Sequence, residues 1–194
     1  VDGGLTDHAV VVLAAGRGRR MGGPKALMEV DGDPWWREQE RRLGALGARR
    51  VWVVSAVVRE AMIGGGMEAG RMVVGDDSRP MMSSVVAGAL ALRDDPPAGV
   101  FVLPVDVPAA GRDAWAALAG GGGEVRVPEH RGVGGHPVWL GWPFVESRVV
   151  DAPEGSRLDE LIGPVARRVA VEDGDVVVNL NTPVGVAAWL ARGA

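Results

Sequence analysis

Val10-Val11-Val12-Leu13, running on through Ala14-Ala15-Gly16-Arg17-Gly18-Arg19-Arg20-Met21-Gly22-Gly23-Pro24-Lys25, is the stretch that decides the fold. Its first residues are apolar without alternation, as a strand buried on both faces requires. Four further runs share that character: Val51–Val54, Met72–Val74, Val100–Leu103 and Val176–Val178. Between them Trp35–Leu46, Ser84–Arg93, Arg112–Leu118 and Val184–Arg192 read as helices. Strands alternating with helices imply βαβ units, hence an α/β fold in three layers around a mainly parallel sheet. Right-handed crossovers align the strands' C-terminal ends along one edge, where open α/β sheets bind ligands. The glycine-rich loop from Gly16 to Lys25 leaves the first strand at that edge.

Composition narrows the possibilities. The chain has 194 residues and 47% apolar content, enough for one packed core, and it shows no repeat or linker, so residues 1–194 read as one domain. No apolar run approaches the ~20 residues that span a bilayer. The apolar run Ala9–Ala15 follows Asp2 and Asp7 rather than a basic segment, which makes a poor signal peptide. With no cysteine, disulfides, thiolate metal sites and cysteine nucleophiles are excluded. These features point to a cytoplasmic protein with no membrane partner. A net charge of −4 argues against a nucleic-acid partner. The local exception is the loop, where Arg17, Arg19, Arg20 and Lys25 share nine residues without an acid. A basic loop in an acidic chain suits a small anion.

Asp31-Gly32, between Met28-Glu29-Val30 and Pro34, signals a tight turn, with Pro34 opening the next helix. Gly64–Gly66 and Gly120–Gly123 read as loop punctuation. The segment Glu124–Trp142, broken by Gly132, Gly134, Gly135 and Pro137, reads as an insertion or hairpin covering the edge of the site.

Glycines in the loop let backbone N–H groups approach an anion, and its arginines and lysine neutralise phosphate charge. Two familiar phosphate motifs do not fit. The dinucleotide fingerprint needs Gly or Ala where Met21 stands, which counts against a nicotinamide-dependent oxidoreductase; the Walker motif needs Ser or Thr where Ala26 follows Lys25. Pro24 argues against a long helix starting there.

Leu13-Ala14-Ala15-Gly16-x-Gly18-x-Arg20-Met21-Gly22-x-x-Lys25 resembles the signature of the MobA-like nucleotidyltransferases, which activate small phosphorylated molecules with a nucleoside triphosphate. The resemblance runs along nearly the whole chain. It implies a Rossmann-like, GT-A-like fold with Leu13, Ala14, Ala15, Gly16, Gly18, Arg19, Arg20 and Lys25 around the triphosphate. Arg20 and Lys25 would contact the phosphates, and Lys25 would stabilise the transition state.

Val100–Val105 ends in Asp106, followed by Val107-Pro108. A carboxylate at a buried strand end needs a partner, and magnesium, which takes few protein carboxylates, is one; backbone N–H groups of the following turn are another. Members of the resembled family carry Leu-x-x-Asp-x-Pro here, which favours the metal. In Asn179-Leu180-Asn181-Thr182-Pro183, Thr182 is a good helix cap with Pro183 at the first position. Asn is depleted in strands, so Asn179 and Asn181 call for another reason. The resemblance implies that Asn179 is a second ligand to metal or phosphate, with Asp106.

Met81-Met82-Ser83-Ser84 opens a helix, and Ser83 there is by default an N-cap. The paired serines resemble the nucleotide-facing segment of the cytidylyltransferase branch, as does Ala15, while Asn179–Pro183 resembles the guanylyltransferase branch. The resemblance therefore implies Mg2+ as cofactor and a nucleoside triphosphate, CTP ahead of GTP, as donor. Gly135-His136-Pro137 resembles the segment near the family's acceptor pocket, which makes His136 a candidate for binding the acceptor's phosphate. That acceptor would be a molybdopterin-type or other small phosphorylated molecule. Asp76-Asp77 and Asp94-Asp95 read as solvated loop charges, and most of Trp35, Trp36, Trp139 and Trp142 as core. A non-catalytic nucleotide-binding protein on the same fold is the alternative of another class.

Overall fold

In the computed structural model, residues 5–18 and 21–192 are described. The chain runs through β1 (His8–Ala14), the hairpin β2 (Glu29–Val30) and β3 (Asp33–Pro34), α1 (Trp35–Gly44), β4 (Arg49–Val54), α2 (Ala56–Gly64), β5 (Met72–Val74) and α3 (Met81–Leu90). It continues with β6 (Gly99–Pro104), α4 (Arg112–Gly120), β7 (Val125–His130), β8 (Val133–Gly134), β9 (Val138–Gly141) and α5 (Trp142–Phe144), which passes into a π-helical segment, Val145–Val150. Helix α6 (Leu158–Ile162), β10 (Ala166–Ala170) and α7 (Pro183–Leu190) complete it. Among the described residues the main sheet has the order β10-β7-β9-β6-β1-β4-β5, with β8 paired to β7.

Burial on both faces explains the continuous apolar runs. Val10, Val12, Trp52, Val54, Phe101 and Leu103 pack with α1, α2, α4 and α7 on one face. The intervening Val11, Leu13, Val51, Val53, Val100 and Val102 pack with α3, the π-helical segment and α6 on the other. Side chains alternate across a strand, so a strand covered on both faces must be apolar at every position. Trp35, Trp52 and Trp115 are fully buried. A tryptophan removes ~150–250 Å² from water, worth about 4–6 kcal/mol each before the entropy of ordering is set against it.

Strands β1, β4, β5 and β6 pair in parallel, so Ala14, Val54 and Pro104 reach the same edge. The segment Glu124–Trp142 is part of the main sheet rather than an insertion, and it does contain a hairpin, β7 pairing antiparallel with β8. Strand β9 lies between β6 and β7, antiparallel to both, and its four residues are buried. What does reach the ligand edge is the β7–β9 connection, because Val138 opposes Val102 near the C-terminal end of β6. The run Val176–Val178 is likewise not a strand. Residues Gly174–Val177 form a 3-10 turn capped by the Asp173 carboxylate, which accepts from the Asp175 N–H at 2.8 Å. Val176 alone of that run is buried, against Ala110 and Ala114. Asp31 and Gly32 make the turn between β2 and β3, both with positive φ (52° and 85°). Pro34 stays in β3, and α1 begins one residue later. Among the described residues no helix is long and apolar enough to cross a membrane.

Candidate active site

The loop after β1 turns tightly. Gly18 has φ +56°, and a Cβ there would overlap the Gly23 carbonyl, so the position is closed to other residues. The Gly18 carbonyl accepts from the Met21 and Gly23 N–H groups at 2.8 and 3.3 Å. Pro24 then leads into a single 3-10 turn, Lys25–Leu27, as its fixed φ and missing N–H suggest. Arg19 and Arg20 lie outside the described residues.

That turn delivers Lys25 to the end of β6. Its ammonium Nζ donates to Asp106 Oδ2 at 2.6 Å and also to Asn181 Oδ1. The lysine and aspartate side chains are 23% and 16% exposed, so the pair is screened less than a surface ion pair. The C-terminal segment is hooked to the same place by its backbone, Leu180 N–H donating to the Asp106 carbonyl at 2.8 Å. Thr182 then caps α7, accepting from the Gly185 N–H at 3.1 Å, with Pro183 first in the helix.

The turn bearing Asp106 is held from below by α1. Buried Gln39 donates to the Val105 and Val107 carbonyls at 3.1 and 2.7 Å and accepts from the Ala109 N–H at 2.8 Å. Trp35 Nε1 also donates to the Val105 carbonyl, at 2.5 Å. A fully buried glutamine must satisfy its amide, and here that requirement fixes the backbone on both sides of Asp106. The hydrophobic spacing of α1 hides this role in the sequence.

A cavity of about 470 Å³ opens at this edge, lined by Leu13, Ala15, Gly16, Gly18, Lys25, Ser84, Asp106 and Asn181. Asp76, Asp77, Arg79, Met81, Pro104 and Val105 complete its wall. Asp76 and Asp77 are exposed loop residues, as the sequence suggests, and Asp77 in addition accepts from the phosphate-loop Arg17 at 2.9 Å. Asp76 accepts from the Ser78 hydroxyl and N–H, and these bonds hold its carboxyl below the usual carboxylate range. The signal for both is their position directly after β5, at the ligand edge of a parallel sheet.

Other expected residues lie elsewhere. Ala14 is buried on the α1 side of the sheet. Ser83 does not cap α3: its helix begins at Met81, and its hydroxyl donates to the Pro80 carbonyl at 2.8 Å while Ser84 faces the cavity. Asn179 is exposed and no part of the cavity wall; Asn181 is the asparagine that reaches Lys25. His136 is not part of that wall either. Its N–H donates to the Val176 carbonyl, its Nδ1 is buried without a partner, and burial lowers its pKa against the pull of the Asp106 charge. Among the described residues no three His, Asp or Glu side chains gather as a metal cluster.

Fold and site together define a nucleotidyltransferase-type α/β protein, with a glycine-rich loop, a lysine and a strand-end aspartate around one cavity. The chain belongs to the MobA-like NTP transferase family, whose model matches residues 10–171. No curated protein matches it by sequence. Solved structures with the same fold include the Rv0371c homologue of Mycobacterium sp. strain JC1 (22% identity, 96% of each chain, TM-score 0.79). Rv0371c of Mycobacterium tuberculosis in complex with manganese is similar at 18% identity, covering 95% of this chain and 98% of that one, TM-score 0.70. Molybdopterin-guanine dinucleotide biosynthesis protein A of Archaeoglobus fulgidus is similar at 16% identity, covering 96% and 100%, TM-score 0.65.

Proposed function

We propose that this protein transfers a nucleotidyl group, CMP in preference to GMP, from a nucleoside triphosphate to a small phosphorylated acceptor of the molybdopterin type, releasing pyrophosphate. The observation that carries the reading is the meeting of Lys25, Asp106 and Asn181 in the cavity that the Gly16–Gly18 loop lines. An acceptor phosphate oxygen attacks the α-phosphorus, the new P–O bond forms, and the bond to the pyrophosphate oxygen breaks in line. Such transfers depend on positioning and charge neutralisation rather than on a protein nucleophile. Lys25, once turned toward the phosphates, offsets charge developing on the leaving group, and Arg20 of the loop assists in that role.

The donor set suits a magnesium ion. Asp106 and Asn181 already converge two hard oxygens on one cation, the Lys25 ammonium, and magnesium completes its shell with water and phosphate. Manganese in the M. tuberculosis relative supports a divalent metal. When bound, the metal supplies charge to polarise the α-phosphate. Ala15 and the buried Ser84 on the cavity wall, both like the cytidylyltransferase branch, support cytosine. A role for His136 in holding the acceptor rests on the resemblance of Gly135-His136-Pro137 alone, since the residue stands outside the cavity wall.

The test is pyrophosphate release with CTP, GTP, ATP or UTP, magnesium and molybdopterin. Release with CTP above GTP is the expected result. Tight triphosphate binding with no release for any of a panel of phosphorylated acceptors would instead favour a non-catalytic nucleotide-binding protein.

A further inference from the structure

The contact that assembles the site also obstructs it. Asp106 and Asn181 spend their inward oxygens on the Lys25 ammonium, and Lys25 spends its charge on Asp106 rather than on a phosphate. We infer that Lys25 is a built-in substitute for the divalent cation, occupying the metal's oxygens until a metal–triphosphate complex displaces it. The inference rests on the metal reading of Asp106 given above, and it concerns how this chain's own residues control access to that site.

Three features argue for it. The acceptors to which Lys25 is bound are one carboxylate oxygen and one amide oxygen, a hard set that suits an ammonium or a magnesium ion alike. Lysine is a compact point charge on a flexible stem with three donors, so it can leave a site that an arginine fork would hold more rigidly. The phosphate loop also holds a cation on a carboxylate, since Arg17 donates to Asp77, a residue of the cavity wall.

The consequence is coupling. A metal ion arriving alone must displace the ammonium and leave it near a second positive charge, whereas one arriving with a triphosphate gives Lys25 a new anion. Metal and nucleotide should therefore each strengthen the other's binding by the same factor. Metal affinity measured without nucleotide is reduced by the fraction of molecules in which Asp106 is free.

Binding of Mn2+ followed by the electron paramagnetic resonance of the free ion, with no acceptor present, tests this in the intact chain. Wild type should bind MnCl2 weakly alone and at least ~10-fold more tightly with CTP or GTP. Lys25→Met should bind Mn2+ alone about 10-fold more tightly than wild type, because the competing cation is gone. Lys25→Arg, which keeps the charge, should stay within a few-fold of wild type. If Lys25→Met binds Mn2+ alone no better than wild type, while Asp106→Asn abolishes binding with nucleotide, the substitute role is overturned and the metal site stands. If Asp106→Asn binds Mn2+ with nucleotide as wild type does, both the substitute role and the metal reading fail. Should Lys25→Met not fold, Lys25→Gln gives the same neutral comparison with a side chain of different shape.

Discussion

Two partly or wholly buried cations, Lys25 and Arg126, are held in opposite ways, and the contrast separates the working part of the molecule from its frame. Arg126 donates to the backbone carbonyls of Leu118, Ala119, Gly122 and Gly123, closing the C-terminal end of α4, with its guanidinium 3.6 Å over the Trp139 ring. Burial lowers its pKa, with no carboxylate among the causes. Lys25 is held by two side chains brought from 81 and 156 residues away. Backbone carbonyls at a helix end cannot be reassigned without unwinding the helix, whereas side-chain oxygens can exchange one cation for another. A planar fork suits the first task and a rotating ammonium the second.

The largest effect expected from breaking this contrast is on turnover. Asp106→Ala should lower the rate of pyrophosphate release by roughly 10³-fold or more, about 4 kcal/mol in the barrier, with little change in the denaturation midpoint. If it unfolded the protein instead, the Lys25 cluster would be structural, like the Arg126 cluster. Arg126→Met is the reciprocal test. It removes the donor from four carbonyls, that of buried Leu118 among them, and should cost about 3 kcal/mol in guanidinium denaturation, while triphosphate binding measured by calorimetry stays near wild type.

Gln39 lies between the two cases, because it is a buried frame residue whose hydrogen bonds serve the site. Gln39→Leu leaves the Val107 carbonyl and the Ala109 N–H unpaired, although Trp35 still serves Val105. It should cost about 2 kcal/mol of stability. Because the turn carrying Asp106 loosens, it should also lower turnover about 10-fold, at nearly unchanged KM for the nucleotide. Loss of stability alone would mean that the turn does not need Gln39 to present its carboxylate.

The parts legible in the sequence are those that a local pattern encodes. Val10–Leu13 and Val100–Leu103 declare two-sided burial by their continuous apolar character, and the 13–25 loop carries its chemistry within a dozen residues. Thr182-Pro183 specifies its own helix cap. What stays hidden depends on partners distant in the chain. Nothing near Asn181 marks it over Asn179, because the choice is made by the Leu180 N–H bond to Asp106 and by Lys25. Val176–Val178 has a strand's composition, yet Asp173 turns the chain there into a 3-10 segment. Strand β9 is flanked by glycines in sequence and becomes a central strand because β6 and β7 offer it both edges.

The smallest effect belongs to the frame end of the comparison and is read by pH. His8, at the start of β1, accepts a long hydrogen bond (3.4 Å) from Trp139 Nε1, the ring on which Arg126 rests. Burial lowers its pKa from the ordinary 6.5, and the Arg126 charge adds to that, while Asp7 and a bond to the Gly99 backbone act the other way. The unfolded chain therefore takes up a proton at His8 at a higher pH than the folded chain does. This contribution to stability is complete above about pH 6.5 and is lost as the pH falls through the folded-state value below it. Between pH 7.5 and pH 5 the urea midpoint should fall further for wild type than for His8→Gln, since His136, also lowered by burial, is common to both and cancels. When the same substitution is made in Arg126→Met, the pH-dependent part of its effect should shrink, because one of the causes that depress the histidine is gone. An effect that does not shrink would place the whole of it in burial by Phe101 and Trp139, and the arginine would then act on this end of the sheet through its carbonyl bonds alone.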